Sequence, residues 1–400
     1  MEQNTVAFVL AGGKGERLRP LTAHRAKPAV PLAAKYRIID IPMSGLLYAG
    51  IRKIVVVPQW KSKSLTEHIQ DGYTRRAGSD REIKTAPPRE GVGEGFYEGT
   101  VAAVDYNRDS ISKNTDHVLI LAADHVTDFN IRKFLEAHHQ GKRDLTVAVE
   151  KRVVNKRDFH KDQKTGRMKY NYGLLEFDSS FKITKFREKP FQDEMPEEGE
   201  VVYISMGDYA FERPNLTDAL KRGYGKDFGT NVIPGMIADD RDVFAHVHDS
   251  YWRDVGTLDA FYRANMDFLL PSPPIDLYQM WIDGAPLLTK GSKIPPSIEE
   301  GKEKTNLVAE GVRKGKGITL EGSIISPGVI IGPGAEIVDS IIFDRVNIGA
   351  GAKIYRTIID KDNTVVPQTR IGYDQKEDSR REYHVDRSAK LTVLEKVLDK

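Results

Sequence analysis

Val6-Ala7-Phe8-Val9-Leu10-Ala11-Gly12-Gly13-Lys14-Gly15-Glu16-Arg17-Leu18 carries an apolar run straight into a glycine-rich loop. The run Val6 to Leu10 reads as a buried strand. Glycines directly after a strand let the backbone approach a phosphate closely and turn its N–H groups toward it. Lys14 and Arg17 add charge to neutralise the anion. No Gly-Lys-Ser/Thr follows at the required spacing, so this is not a Walker loop. Alone, such a loop is a weak signal of nucleotide binding.

Runs of the same kind recur downstream. Lys53 to Val57, His117 to Leu121 and Leu145 to Val149 read as strands, with helical-looking segments such as Ser62 to Gln70 and Ile131 to His139 between them. Continuous Val/Ile/Leu runs suit strands covered on both faces, which predicts a mainly parallel α/β sheet over residues 1–270. Pro271, Pro273, Pro274, Pro286, Pro295 and Pro296, then a charged run from Glu299 to Lys304, predict a linker over 271–315.

Residues 316–400 have a different rhythm. Ile325, Ile331 and Ile337 lie six apart, and the trios Ile342, Ile348, Ile354 and Ile359, Val365, Ile371 follow at intervals of 17 residues. Glycines at 328, 332, 334, 349 and 351 exclude a helix. A β-solenoid fits, with three short strands per coil and one aliphatic residue from each pointing inward. Val308 and Leu320 fit one further, degraded coil. An ordinary β-sandwich needs no such period.

Sixty Lys and Arg against 58 Asp and Glu give a net charge of +2, without the basic excess of a nucleic-acid binder. Cysteine is absent, which excludes disulfides and thiolate metal sites. The ten histidines show no metal-ligand spacing, and no serine has a His/Asp pattern for nucleophilic catalysis. No stretch approaches the roughly 20 apolar residues of a membrane helix. A cytoplasmic protein that binds neither nucleic acid nor membrane is the expectation.

The loop is followed by Arg25-Ala26-Lys27-Pro28-Ala29-Val30 and Lys35-Tyr36-Arg37-Ile38-Ile39-Asp40. Further on come Glu188-Lys189-Pro190, Ser205-Met206-Gly207, Asp227-Phe228-Gly229 and Tyr251-Trp252-Arg253-Asp254-Val255-Gly256-Thr257. With these motifs the chain resembles, over nearly its full length, the bacterial glucose-1-phosphate adenylyltransferases. The loop and Lys-Pro are common to all sugar nucleotidyltransferases; the 25–30 and 251–257 segments are more specific to this branch. The resemblance implies a Rossmann-like nucleotidyltransferase domain followed by a left-handed parallel β-helix. It implies ATP and glucose 1-phosphate as substrates, ADP-glucose and pyrophosphate as products, Mg²⁺ as cofactor, a role in glycogen or storage-glucan synthesis, and a homotetramer.

In such a reaction a sugar phosphate oxygen attacks the α-phosphorus of a nucleoside triphosphate. The nucleophile is already an anion, so the enzyme must supply alignment and charge rather than a general base. Asp124 follows the strand from Val118 to Leu121, and open α/β sheets place ligands at strand carboxyl ends. Asp254 sits in what reads as a compact turn, Trp252 to Thr257. Singly, each aspartate is more often a turn or capping residue; the resemblance makes the pair metal ligands. It also makes Arg17, Lys27 and Asp124 catalytic. Leu10, Ala11, Gly12, Gly13, Gln59, Tyr97, Gly99 and Thr100 match its nucleotide contacts. Gly173, Glu188, Lys189, Ser205, Tyr209, Asp227 and Trp252 match its sugar phosphate contacts, although Tyr209 and Trp252 read equally as core packing. His125, one residue after Asp124, would point to the opposite face of a strand. Arg25 and Arg37 match positions near which the family binds an anionic allosteric effector.

The chain departs from the family pattern at Lys14, Ala33-Ala34, Gly45, Ala102, Ala123 and Thr230-Asn231. Gly45, Ala102 and Ala123 fall by resemblance near the base and sugar. A different base or sugar is therefore one alternative, and a non-catalytic regulatory paralogue another. An acyltransferase solenoid is disfavoured because residues 316–372 contain no histidine.

Overall fold

The computed structural model describes residues 2–77, 80–88, 97–277, 281–282, 285–286 and 295–397. The opening run forms strand Thr5–Ala11, which lies inside a nine-stranded sheet. It pairs in parallel with Lys53–Pro58 on one side and with His117–Ala122 on the other. Every residue of Thr5–Ala11 except Leu10 is buried, as expected of a strand covered on both faces. Helices Lys63–Gly72 and Ile131–Gln140 stand where the sequence places them.

The sheet is parallel in Thr5–Ala11, Lys53–Pro58, Glu82–Thr85 and His117–Ala122. The long strand Val201–Glu212 runs antiparallel to His117–Ala122, Leu145–Val153 and Leu174–Phe177. Its register shifts between Ser205 and Tyr209. The irregularity covers Ser205-Met206-Gly207-Asp208, and Gly207 takes φ 80° there. The bulge re-aims the strand where its side chains meet the end of the parallel sheet.

The C-terminal part is a parallel β-helix. Ile324–Ile325, Ile341–Ile342 and Thr357–Ile359 stack in register on one face, and two further four-stranded sheets complete the coils. Ile325, Ile331, Ile337, Ile342, Ile348, Ile354, Ile359, Val365 and Ile371 share one buried core. Thr305–Val308 pairs in parallel with Ile324–Ile325, and Leu320 pairs with Ile337. Solenoid pairing therefore begins inside the stretch 271–315 that reads as a linker. The far end is closed by helix Gln375–Arg380 and by strand Leu391–Leu394, which pairs with Thr357–Ile359.

One continuous buried cluster joins Phe261 and Tyr262 of the first part to Phe343, Ile341 and Val393 of the second. Tyr262 Oη donates to the Asp339 carbonyl at 2.7 Å. Arg25 and Asp360, both almost fully buried, pair at 2.9 Å.

Candidate active site

The carboxyl ends of Thr5–Ala11 and His117–Ala122 open side by side, with Leu10 paired to Ala122. From the first comes the Gly12–Gly15 loop. Gly13 and Gly15 take φ 93° and 62°, a region that disfavours any Cβ. A Cβ on Gly15 would stand 3.0 Å from Thr22 and 3.2 Å from the Lys27 side chain. The loop thus folds back on the segment that delivers Lys27.

Lys27 begins a short 3-10 helix with Pro28, whose ring fixes the direction of entry. Its Nζ, almost fully buried, donates to Asp124 Oδ2 at 2.7 Å and to Asp254 Oδ1 at 3.0 Å. Burial alone would depress the ammonium, yet the two carboxylates raise it above its ordinary value. Burial works against both carboxylates, but Lys27 and His125 hold them low, Asp254 at about 2. Both stay ionised across the physiological range. Hard oxygen donors converging on one cation are the donor chemistry of a Mg²⁺ site, with phosphate oxygens and water to complete an octahedron.

Two sequence readings are corrected here. Asp254 is not in a turn; Trp252–Asp254 is a short strand antiparallel to His125–Thr127, with Asp254 opposite His125. His125 does not point away. The strand stops at Ala122, so the alternation rule lapses across Ala123 and Asp124. His125 Nε2 lies 3.8 Å from Asp124 Oδ1, and its ring meets Trp252 edge-on at 4.9 Å.

On the nucleotide side, the Gln59 amide lies where a Cβ on Gly12 would touch it at 3.5 Å. Gln59 Nε2 donates to the Tyr97 carbonyl at 3.4 Å, and Tyr97 is buried. Gly99 opens helix Gly99–Asp105 at φ 90°, and a Cβ there would fall 2.2 Å from the Lys226 carbonyl oxygen. Thr100 Oγ1 donates to Asp227 Oδ2 at 2.9 Å and accepts from the Phe228 N–H at 3.0 Å. That hydrogen bond joins a residue of the nucleotide set to one of the sugar set.

On the sugar side, the Glu188 carboxylate is walled by two glycines. A Cβ on Gly173 or Gly229 would approach its Oε2 to 2.8 or 2.6 Å. Burial and Asp227 raise its pKa, and Lys189, 3.5 Å away, opposes them. Lys189 holds φ 47° and is half exposed, free to turn toward a phosphate. Ser205 Oγ accepts from the Gly207 N–H at 3.2 Å. Tyr209 is buried, and burial raises its phenol pKa. The indole N–H of Trp252 is buried without a hydrogen-bond partner among the described residues. The Arg17 guanidinium donates to Asn171 Oδ1 at 2.8 Å and, like the Asp254 carboxylate, borders Gly256, where a Cβ would meet them at 3.1 and 3.2 Å.

Asp208 is the residue that sequence reading missed. It is buried, accepts from the Ala122 N–H at 2.9 Å, and burial raises it to about 6 against the pull of His125. Its only signal was a carboxylate beside a glycine within an otherwise apolar strand. Of the departures, a Cβ on Gly45 would meet Ile131 at 3.1 Å, so this position is tied to packing. Asn231 Oδ1 accepts from the Lys226 and Asp227 N–H groups and shapes the turn that presents Asp227. Arg25 and Arg37 line a cavity of about 750 Å³ between the two parts of the chain, with Lys35, Arg345 and Lys361.

The nucleotidyl transferase family model matches residues 6–270, and a GlmU-like C-terminal hexapeptide model matches 296–393. The glucose-1-phosphate adenylyltransferase of Thermodesulfovibrio yellowstonii is 36% identical, over 94% of this chain and 93% of its own. Glucose-1-phosphate adenylyltransferase 2 of Vibrio parahaemolyticus is 37% identical over 95% and 96%. That of Geobacter metallireducens is 34% identical over 98% and 97%. With fold, site and full-length similarity in agreement, this chain belongs to the glucose-1-phosphate adenylyltransferases, within the nucleotidyl transferase family.

Proposed function

We propose that the chain transfers the adenylyl group of ATP to α-D-glucose 1-phosphate, giving ADP-glucose and pyrophosphate for storage-glucan synthesis. The observation that carries the reading is the convergence of Asp124 and Asp254 on Lys27 at the mouth of the parallel sheet. A phosphate oxygen of the sugar attacks the α-phosphorus, the bond to the bridging oxygen breaks, and pyrophosphate leaves with that electron pair.

Nucleotidyl transferases generally work with a divalent metal. Mg²⁺ bound by Asp124 and Asp254 would neutralise phosphate charge as the pentacoordinate state forms. The chain's own groups do the rest. Leu10, Ala11, Gly12 and Gly13 bring backbone against the nucleotide, and Gln59, Tyr97, Gly99 and Thr100 hold its base and ribose. Arg17 faces the leaving phosphates. Lys27, released from its carboxylates, meets the α-phosphate region. Lys189 holds the sugar phosphate, while Glu188, Ser205, Tyr209, Asp227, Gly173 and Trp252 form the hexose pocket. None needs to move a proton, because the attacking oxygen is already anionic.

The decisive experiment is pyrophosphate release by the purified protein across several nucleoside triphosphates and sugar 1-phosphates. Turnover is expected to be greatest with ATP and glucose 1-phosphate. No turnover with that pair rejects the reading. Activity only with another base or sugar reassigns the specificity, and an inactive protein that alters a partner's kinetics makes it a regulatory paralogue. We further propose a homotetrameric cytoplasmic enzyme, with the cavity around Arg25 and Arg37 taking an anionic effector, as the family resemblance implies. Gel filtration with light scattering tests the first point and activation by phosphorylated metabolites the last.

A further inference from the structure

The strand that leads to Asp124 begins at His117, and other titratable groups gather at that opposite end. His117 is buried at the start of His117–Ala122. His138 is fully buried in the last turn of helix Ile131–Gln140. Glu212 ends the strand Val201–Glu212 and lies directly opposite His117 in the sheet. One ligand atom from each of the three comes within 4.8 Å of the others. His117 Nδ1 is 3.2 Å and His138 Nε2 is 3.9 Å from Glu212 Oε1. Neither nitrogen has a hydrogen-bond partner among the described residues.

The far side of each ring is engaged. His117 Nε2 lies 3.2 Å from His139 Nδ1, and His138 Nδ1 lies 2.8 Å from Thr146 Oγ1. An imidazole that donates from one nitrogen presents a lone pair at the other. In the tautomers that donate from those engaged nitrogens, His117 Nδ1 and His138 Nε2 offer lone pairs beside the partly buried Glu212 carboxylate. The carboxylates of Asp116 and Asp144 stand near Glu212 and add negative charge there. A cation among these acceptors would satisfy them together.

We propose that His117 Nδ1, His138 Nε2 and Glu212 Oε1 bind one divalent transition-metal ion of the zinc class, with water as fourth ligand. Two imidazoles and one carboxylate suit Zn²⁺, whereas Mg²⁺ prefers oxygen alone. Ligand atoms about 2.0–2.2 Å from a tetrahedral metal lie roughly 3.3 Å apart. The 3.2 Å edge already meets that spacing, and the 3.9 Å edge needs only a small closure. His139 and Thr146 stand where partners that orient metal-bound imidazoles belong. The site is roughly 20 Å along the strand from Asp124, so its role is to tie a helix and two strands together. The three ligands are scattered along the sequence, which is why no spacing marked them.

The test is titration of chelator-treated full-length protein with Co²⁺ in excess Mg²⁺, which saturates oxygen-donor sites. One equivalent is expected to bind with visible d–d absorption, and Zn²⁺ is expected to displace it. Glu212→Gln is expected to retain the far-UV spectrum and nucleotidyl transfer yet bind Co²⁺ more weakly by about tenfold or more, the scale on which even outer partners of metal sites act. His138→Asn is expected to behave alike; should it fail to fold, Glu212→Gln decides. Absence of d–d bands in the wild type, or identical titrations for wild type and Glu212→Gln, overturns the proposal.

Discussion

Lys189 is half exposed and held at φ 47°, with the Glu188 carboxylate 3.5 Å from its ammonium. A charge-assisted hydrogen bond to a sugar phosphate contributes about 1.5–3 kcal/mol, so Lys189→Ala is expected to raise the KM for glucose 1-phosphate about 10- to 100-fold. The KM for ATP should change little, and initial-rate kinetics in both substrates check this. Asp254→Asn removes a charge at the reacting centre and is expected to lower kcat about a hundredfold or more. Asp208 carries an expectation in pH. Its folded value of about 6 lies above its ordinary 3.8, so the folded state binds the proton more tightly. Stability therefore falls as pH rises from about 4 to about 6, by at most about 3 kcal/mol, and the cost is complete above that window. Asparagine keeps an acceptor for the Ala122 N–H. Asp208→Asn is expected to raise the urea midpoint near about pH 8 and to leave it unchanged near about pH 3.5. Residues with local motifs, Lys27 and Lys189 among them, were legible in the sequence. Asp208 and His125 were not, because a strand bulge and a break in alternation decide where they point.

The joint between helix Gly99–Asp105 and the loop before Phe228 depends on one missing methyl group. With φ 90° and the Lys226 carbonyl 2.2 Å from any Cβ, Gly99→Ala must push the two apart. The Thr100–Asp227 hydrogen bond then opens. The expected outcome is a rise in KM for both substrates together and a loss of roughly 1–3 kcal/mol of stability, read by kinetics and urea unfolding. The buried strands and the coils were visible as apolar runs and as a period. Strand Leu391–Leu394 was not, since helix Gln375–Arg380 and the turn after it interrupt the rhythm before the last coil pairs. At the other end, Val308 already marked a further coil, and strand Thr305–Val308 pairs there with Ile324–Ile325, although the prolines and charges before it read as a connection.

At the level of the whole molecule, the two parts share a core and a buried ion pair. Arg25 and Asp360 are each under a tenth exposed, and Asp360 supplies the carboxylate closest to the guanidinium. Removing one partner strands a buried charge, so Asp360→Ala is expected to cost about 3–5 kcal/mol. Arg25→Met combined with Asp360→Leu is expected to recover most of that loss, and equilibrium unfolding of the variants separates the cases. Nothing local in the sequence linked positions 335 residues apart; only the folded interface does.

Inside the β-helix, the Ser340 N–H donates to Ser323 Oγ, and the Thr357 N–H to Ser340 Oγ. Each coil thus meets the next through the same hydroxyl and the same aliphatic trio, and no coil contacts one two steps away through this ladder. The ladder by itself would accept a coil more or a coil fewer, but this stretch also carries Asp339, Ile341 and Phe343, which dock on Tyr262 and Phe261. Gain or loss of one 17-residue unit between Ser323 and Thr357 would therefore keep the seams between coils and move the joint to the catalytic half, so the docking face, not the ladder, fixes how many turns the barrel has.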